Sequence, residues 1–509
     1  NVFGCDYNDT TIRQQADLLN STGMAAAGFR TVIIQECITK TGHRDANGVP
    51  QPDPEKFPYG IKGLCDYIHE KGLLCGIYTD VGPETCAGYE GSYLHDEIDA
   101  KTYASWGIDF VEEDSCHHNA SMPPYSELYS RMRDALNATG RPITFYMCVQ
   151  GQESVQTWGA KTGNLWRTTS DICGPGHATW ANVMKNFRGD TKYPDAGGVG
   201  AWQDPDMLVV GMPLDGKIDN VTVRQWKTHF SLWAMVAAPL WAAADLTNIQ
   251  PEVLDIFLNH DVIAIDQDPL GKMATCVANC RSSGGDPNDV RFSPCSSLTT
   301  KWKVSNTTSD GSLLISGHDM ALTGENCGGQ VGDGIIVYRP VPDSCHPAPI
   351  SNQAFKLPPA GTVGPLILSE SKNCVALDQD GQRAHAQVCN ASDSHQQWQL
   401  ATDGSLTLPH VGLCMSDPAD YASGLVETWV KPLAPTPTAQ KRVAIALFNP
   451  STQAVDAAAL ATNAGLDATQ QATIFDVWTK VSSHRDQLGD VVVSATVPSL
   501  GVVVVVVEQ

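Results

Sequence analysis

"GIDFVEED", residues 107–114, joins a β-prone apolar run to three consecutive carboxylates. Three acids in a row repel one another, so a solvated loop is the first reading to test. The neighbouring sequence excludes it. "DEIDAKTYASW" before it and "YSELYSRMRDAL" after it have helical periodicity, so the acids fall where a strand runs out into a loop between two helices. Side chains alternate along a strand, which sends Glu112 and Asp114 to one face and Glu113 to the other.

The same pattern recurs on both sides of this segment. "TVIIQEC" (31–37), "LLCGIYTD" (73–80), "ITFYMCVQ" (143–150), "LWRTTSD" (165–171), "GAWQDPDM" (200–207) and "APLWAAAD" (238–245) are apolar runs that end in polar residues, with helical patterns such as "GIKGLCDYIHEKG" and "VRQWKTHFSLWAMVAA" between them. Seven β-then-α units predict a (β/α)8 barrel, whose chemistry gathers at the C-terminal ends of its strands. An open doubly wound sheet is the structural alternative, but no glycine-rich dinucleotide turn accompanies the first strands.

Composition restricts the class of protein. The chain's 509 residues have room for several domains, and a net charge of -23 opposes nucleic acid and anionic membranes as partners. Sixteen cysteines and seven glycosylation sequons, at Asn8, Asn20, Asn119, Asn137, Asn220, Asn306 and Asn390, point to an oxidising, glycosylating route and hence to secretion or a lysosomal or vacuolar lumen. No apolar run reaches the roughly 20 residues of a membrane span, so no membrane insertion is expected. The chain carries no leader-like segment and reads as a mature or trimmed form.

The middle third has a different texture. Cys276, Cys327 and Cys374 recur at intervals of roughly fifty residues, and each is followed by a second cysteine, at Cys295, Cys345 and Cys389. An aromatic follows each pair (Trp302, Phe355, Trp398). This threefold repeat resembles the β-trefoil of ricin-type lectin modules with one disulfide per repeat. Those modules carry a sugar-binding Asp two residues after the first cysteine, where this chain has Ala278, Gly329 and Ala376, so a structural insert competes with a lectin. The tail, with "VETWVKPL", "RVAIALFNPS" and "VVVSATVPSLGVVVVVV", reads as an antiparallel sandwich. The expected domains are a barrel over 1–273, a trefoil-like insert over 274–418 and a sandwich over 419–509.

"NVFGCDYNDTTIRQQADLL", "GIYTDVGPETCAGYEGSY", "DAKTYASWGIDFVEEDSC", "GNLWRTTSDI", "WQDPDMLVVG" and "VIAIDQDPLG", in this order, resemble glycoside hydrolase family 27, the α-galactosidase and α-N-acetylgalactosaminidase family. The resemblance implies retaining hydrolysis of a terminal sugar, with Asp114 as nucleophile and Asp171 as acid/base. It also implies substrate contacts from Tyr78, Arg167 and Asp206, and disulfides Cys5–Cys37 and Cys86–Cys116 at the barrel mouth. No Cys/His cluster has zinc spacing, and neither metal nor cofactor is expected.

Departures from the family pattern fall on the sugar pocket. Gln35 and Glu36 stand where the family has two adjacent Asp, Val149 replaces a polar contact, and Glu112 replaces a Lys. The strand that precedes "FGC" in the family does not appear ahead of it here, so if the mature chain begins at Asn1, a partner segment completing the barrel or a homo-oligomer is expected. Two function classes follow. The first is an exo-glycosidase acting on an α-galactoside, α-N-acetylgalactosaminide or β-L-arabinopyranoside. The second is a non-catalytic glycoprotein that serves a structural or glycan-binding role.

Overall fold

The computed structural model describes residues 3–174, 177–280 and 426–509, and between the last two it describes 290–294, 300–308, 311–315, 321–324, 330–338, 353–359, 361–369, 371–378 and 384–417. The N-terminal part alternates strand and helix. Six parallel strands, β1 (Thr31–Ile34), β2 (Leu74–Asp80), β3 (Phe110–Asp114), β4 (Thr144–Met147), β5 (Leu165–Arg167) and β6 (Trp202–Asp204), pair in chain order. Helices α1 (Asp9–Ser21), α2 (Gly60–Glu70), α3 (Asp96–Trp106), α4 (Tyr125–Ala138), α5 (Trp180–Asp190) and α6 (Asn220–Met235) connect and cover them. This is the (β/α)8 type of barrel.

Local sequence explains the helix ends. Asn8 accepts the Thr11 N–H to start α1, and Asp219 with Thr222 forms a reciprocal cap on α6. Gly107, in the left-handed region at φ 82°, closes α3 and turns the chain into the run that becomes β3.

The expected seventh strand, 238–245, is reduced to a single parallel bridge, Leu208 with Ala242. A strand is held from both sides, and this segment has β-type pairing only to 208. Its far side faces a cavity of about 510 Å³ that also runs along Thr31, Val32 and Ile33 of β1, the strand at the end of the sheet. Trp241 turns into the barrel instead and meets Phe110 edge-on at 5.3 Å and Tyr146 at 5.5 Å between ring centroids.

The C-terminal region is antiparallel. Glu427–Leu433 pairs along its whole length with Arg442–Phe448, which pairs in turn with Val502–Glu508, so the run of valines becomes an inner strand. Thr275–Ala278 joins this sheet through Glu427–Leu433, which moves the start of the insert past the expected boundary at 274. Polar contacts fix the sheet to the barrel helices. Arg188 of α5 pairs with buried Glu427, Lys431 Nζ donates to the Ala234 carbonyl at 2.8 Å, and Thr228 Oγ1 donates to Leu500 O at 3.0 Å.

Residues 281–426, with 449–455, form a separate compact unit. Its apolar cluster contains Trp302, Phe355 and Trp398, each buried. Cys374 and Cys389 are bonded to each other. Cys276 is bonded to Cys280 and not to Cys295, a correction with a simple cause: Cys276 lies on the strand that joins the C-terminal sheet, four residues from its partner and outside this unit. Cys295, Cys327 and Cys345 lie outside the described residues.

Candidate active site

Register places the acids. Tyr78 sits opposite Glu112 and Asp80 opposite Asp114, so alternation along β2 and β3 turns Tyr78, Glu112 and Asp114 toward the mouth together. Glu113, between them, is fully buried on the other side of the sheet.

Asp114 is tightly held. Its Oδ2 accepts the Tyr78 hydroxyl at 2.8 Å and its Oδ1 accepts the Ser115 N–H at 2.7 Å. Burial raises its pKa, and these two donors oppose the rise. Asp80 plays a structural part beside it: Oδ1 and Oδ2 accept the N–H groups of Gly82 and Cys116 at 2.7 and 2.9 Å, which ties together the loops after β2 and β3. Burial pushes Asp80 up to about 8.

Arg167, at the end of β5, is 4% exposed and organises the opposite wall. Its Nη2 reaches Asp171 Oδ1 at 2.9 Å and its Nη1 reaches Asp206 Oδ1 at 3.1 Å. Asp171 is half exposed, open to an incoming sugar and to water. Asp206 is buried and strained, at φ 85°, where a residue with a Cβ rarely sits. Three further bonds hold it there: Ile172 N–H donates to Oδ2 at 2.7 Å, Trp233 Nε1 to its carbonyl at 2.7 Å, and its own N–H to Asp204 Oδ1 at 2.8 Å. Asp204 lies beneath, accepting from Tyr146 at 2.6 Å and Trp241 Nε1 at 3.1 Å, with its pKa raised by burial to about 6.

Gln35 and Glu112 face each other, with Gln35 Nε2 donating to Glu112 Oε2 at 2.7 Å. Burial pushes Glu112 up to about 8, against this hydrogen bond. Gln35, Glu112, Arg167, Asp206 and Met207 all line the 510 Å³ cavity. Glu36 instead points at the loop after β2, accepting the Ala87 N–H at 2.8 Å. Val149 is fully buried in the apolar core and is not part of the cavity wall.

The disulfides Cys5–Cys37 and Cys86–Cys116 tie loops at this end of the sheet, and Cys65–Cys75, which the spacing of cysteines did not reveal, ties α2 to β2. Asp80, Cys86, Asp114 and Cys116 lie close enough together to suggest a metal, but the two sulfurs are bonded to each other and cannot serve as thiolate ligands. Asn8, Asn20, Asn119, Asn137, Asn220 and Asn390 are exposed; the side chain of Asn306 lies outside the described residues. No described helix is long and apolar enough to cross a membrane.

Known proteins resemble this chain in sequence and in fold. Residues 5–268 match the family model described as alpha galactosidase A, and 423–507 match that of the alpha galactosidase C-terminal beta sandwich domain. The probable alpha-galactosidase of Dictyostelium discoideum is 43% identical over a match covering 54% of this chain and 68% of that protein. Alpha-galactosidase 3 of Arabidopsis thaliana is 42% identical, over 53% and 59% of the two chains. The fold matches that of the Saccharomyces cerevisiae α-galactosidase solved with raffinose, at a TM-score of 0.61, 19% identity, and coverage of 99% of this chain and 95% of that one.

Proposed function

The chain belongs to the alpha galactosidase A family and is a glycoside hydrolase, and from that premise we propose that it releases terminal α-galactose by double displacement. In this reading Asp114 attacks the anomeric carbon and forms a glycosyl ester, while Asp171 gives its proton to the departing glycosidic oxygen. Asp171 then takes a proton from water as the water displaces Asp114 and breaks the ester. Atoms and charge balance, and both carboxyls return to their starting states.

The observation that carries the reading is Arg167. One buried guanidinium holds Asp171 at 2.9 Å and Asp206 at 3.1 Å, while Tyr78 and Ser115 orient Asp114 separately. Two carboxyls held by different partners can take the separate roles of nucleophile and acid/base. Gln35, Glu112, Arg167 and Asp206 present polar groups to a cavity of about 510 Å³, whose lining residues do not include Asp114 or Asp171. The disulfides and exposed sequons support a secreted or lumenal site of action.

Hydrolysis of nitrophenyl α-galactoside, followed by proton NMR of the sugar first released, tests the reading. Retention requires the α-anomer first. Absence of turnover on this substrate and on the α-N-acetylgalactosaminide and β-L-arabinopyranoside analogues would leave the non-catalytic, glycan-binding reading.

A further inference from the structure

The disulfide Cys86–Cys116 lies against Asp114. Cys86 Sγ is 3.4 Å from Asp114 Oδ2 and 3.4 Å from the Tyr78 hydroxyl. One ligand atom from each of Asp80, Cys86, Asp114 and Cys116 falls within 4.8 Å of all the others. A tetrahedral zinc with thiolate and carboxylate ligands holds such atoms about 3.3–3.8 Å apart, so the four are gathered near coordinating distance. Only the bond between the two sulfurs closes the set to a metal, and Cys86 is exposed to a reagent that would cut it.

The loops that carry these residues are held by more than the disulfide. Asp80 accepts the N–H groups of Gly82 and Cys116 at 2.7 and 2.9 Å, Val81 N–H donates to Asp114 O at 3.0 Å, and Ala87 N–H donates to Glu36 Oε2 at 2.8 Å. At Gly82 the two loops meet backbone to backbone: a Cβ there would lie 2.4 Å from Cys116 O. Cutting the S–S bond therefore lets the sulfurs part while the carboxylates stay in place. Tyr78 and Ser115 already orient Asp114, as hydrogen-bonded neighbours orient the carboxylate ligands of a metal.

We propose that the Cys86–Cys116 disulfide masks a binding site for a thiophilic divalent metal of the zinc class. A dithiol reductant passes two electrons and two protons to the bridge, leaving two thiols and its own disulfide. The metal displaces the thiol protons to solvent, with that of Asp80 where it carries one, and is held by both thiolates, Asp114 and Asp80. The site stands on this geometry. Its consequence, loss of turnover as Asp114 is taken up by the metal, rests on the reading of Asp114 as nucleophile.

The full chain, reduced with dithiothreitol and freed of it under argon, is titrated with Cd²⁺ alone, reading the ultraviolet thiolate-to-metal absorbance, with circular dichroism in parallel. Reduced wild type should take up about one equivalent more than Cys86→Ser/Cys116→Ser treated identically, and unreduced wild type should lack that equivalent. The subtraction removes Cd²⁺ bound by thiols elsewhere, so equal titrations of the reduced wild type and the double variant overturn the proposal. Asp114→Asn keeps both thiols and should weaken uptake about tenfold or more; unchanged affinity overturns the site as drawn. Should reduction unfold the chain, Cys86→Ser decides without a reductant, because it leaves the Cys116 thiol free beside both carboxylates. It should bind Cd²⁺ more tightly than the double variant, and equal affinity overturns the proposal. Hydrolysis of nitrophenyl α-galactoside separates the two readings. Uptake at the site with turnover undiminished keeps the metal site and removes Asp114 as nucleophile, whereas equal titrations in an active enzyme remove the metal site alone.

Discussion

The two faces of the barrel sheet treat buried carboxylates differently. At the mouth, Asp114 has a phenol and a backbone N–H, and Asp206 has Arg167 and a backbone N–H. One residue from Asp114, on the face toward the helices, Glu113 is completely buried and neither of its oxygens has a hydrogen-bond partner; Asp96, Asp80 and Asp99 are its charged neighbours. Residue class is alike on the two faces, and burial raises the pKa of Asp114, Asp206 and Glu113 alike. In the proposed mechanism, donors separate a carboxylate kept for chemistry from one kept neutral.

The strongest test removes the charge from the supported side. Asp114→Asn is expected to lower kcat on the order of 10⁴-fold or more, because no neighbouring group can form the glycosyl ester in its place. Its thermal stability should stay near that of the wild type, since the amide still accepts from Tyr78. A variant with near-wild-type turnover would break the distinction between the faces at its root.

Removing the donor instead of the acceptor has the next largest effect. Arg167→Ala leaves Asp206 buried beside Asp204 without its cation, at a cost of about 3–5 kcal/mol measured by denaturant unfolding. It also frees Asp171 from the 2.9 Å contact, so kcat on nitrophenyl α-galactoside should fall as well. Wild-type stability in this variant would mean that backbone N–H groups alone suffice for Asp206.

On the unsupported side the expected effect is smaller and depends on pH. Burial raises the Glu113 pKa well above 4.5, the value it resumes on unfolding. Folding stability is therefore undiminished below pH 4.5 and falls as pH climbs toward the folded-state pKa, by up to about 1.4 kcal/mol per pH unit. Glu113→Gln should match the wild type at pH 4 and exceed it increasingly by pH 7. His229 works in the opposite sense. It is buried without a hydrogen-bond partner and its pKa is lowered from 6.5 to about 3, so its contribution is present above pH 6.5 and lost as pH falls toward 3. Urea midpoints across pH, for wild type and Glu113→Gln, check the sign.

The strand ends were legible in sequence because alternation and motif order act within a few residues. Both put Asp114, Arg167, Asp171 and Asp206 together, and alternation alone sent Glu113 away from its neighbours. What depends on distant chain was not legible. The apolar run at 238–245 has the composition of a strand, but pairing is a property of neighbours, and only Leu208 pairs with it. Val149 follows β4 in a pocket motif, yet packs into the core. Cys276 obeyed a repeat spacing that the sheet at 427–433 overrides.

Glu112 is the boundary case, because it lines the mouth like Asp114 but has the poor support of Glu113. Its one side-chain donor is the neutral amide of Gln35, and burial takes its pKa to about 8. At pH 5 it should therefore carry a proton, and glutamine should imitate it: Glu112→Gln keeps an oxygen for Gln35 and replaces the acid O–H with an N–H. The expected change in kcat/KM at pH 5 is less than about twofold, within the range of substitutions that preserve hydrogen bonding. Above pH 8 the two proteins should diverge, since only the wild type gains a second negative charge near Asp114, and that charge repels the one the nucleophile needs. A tenfold loss in Glu112→Gln at pH 5 would mean that Glu112 is ionised at working pH. It would then belong with Asp114 and Asp206, and facing the mouth, more than the strength of the donors, would decide which carboxylates stay charged.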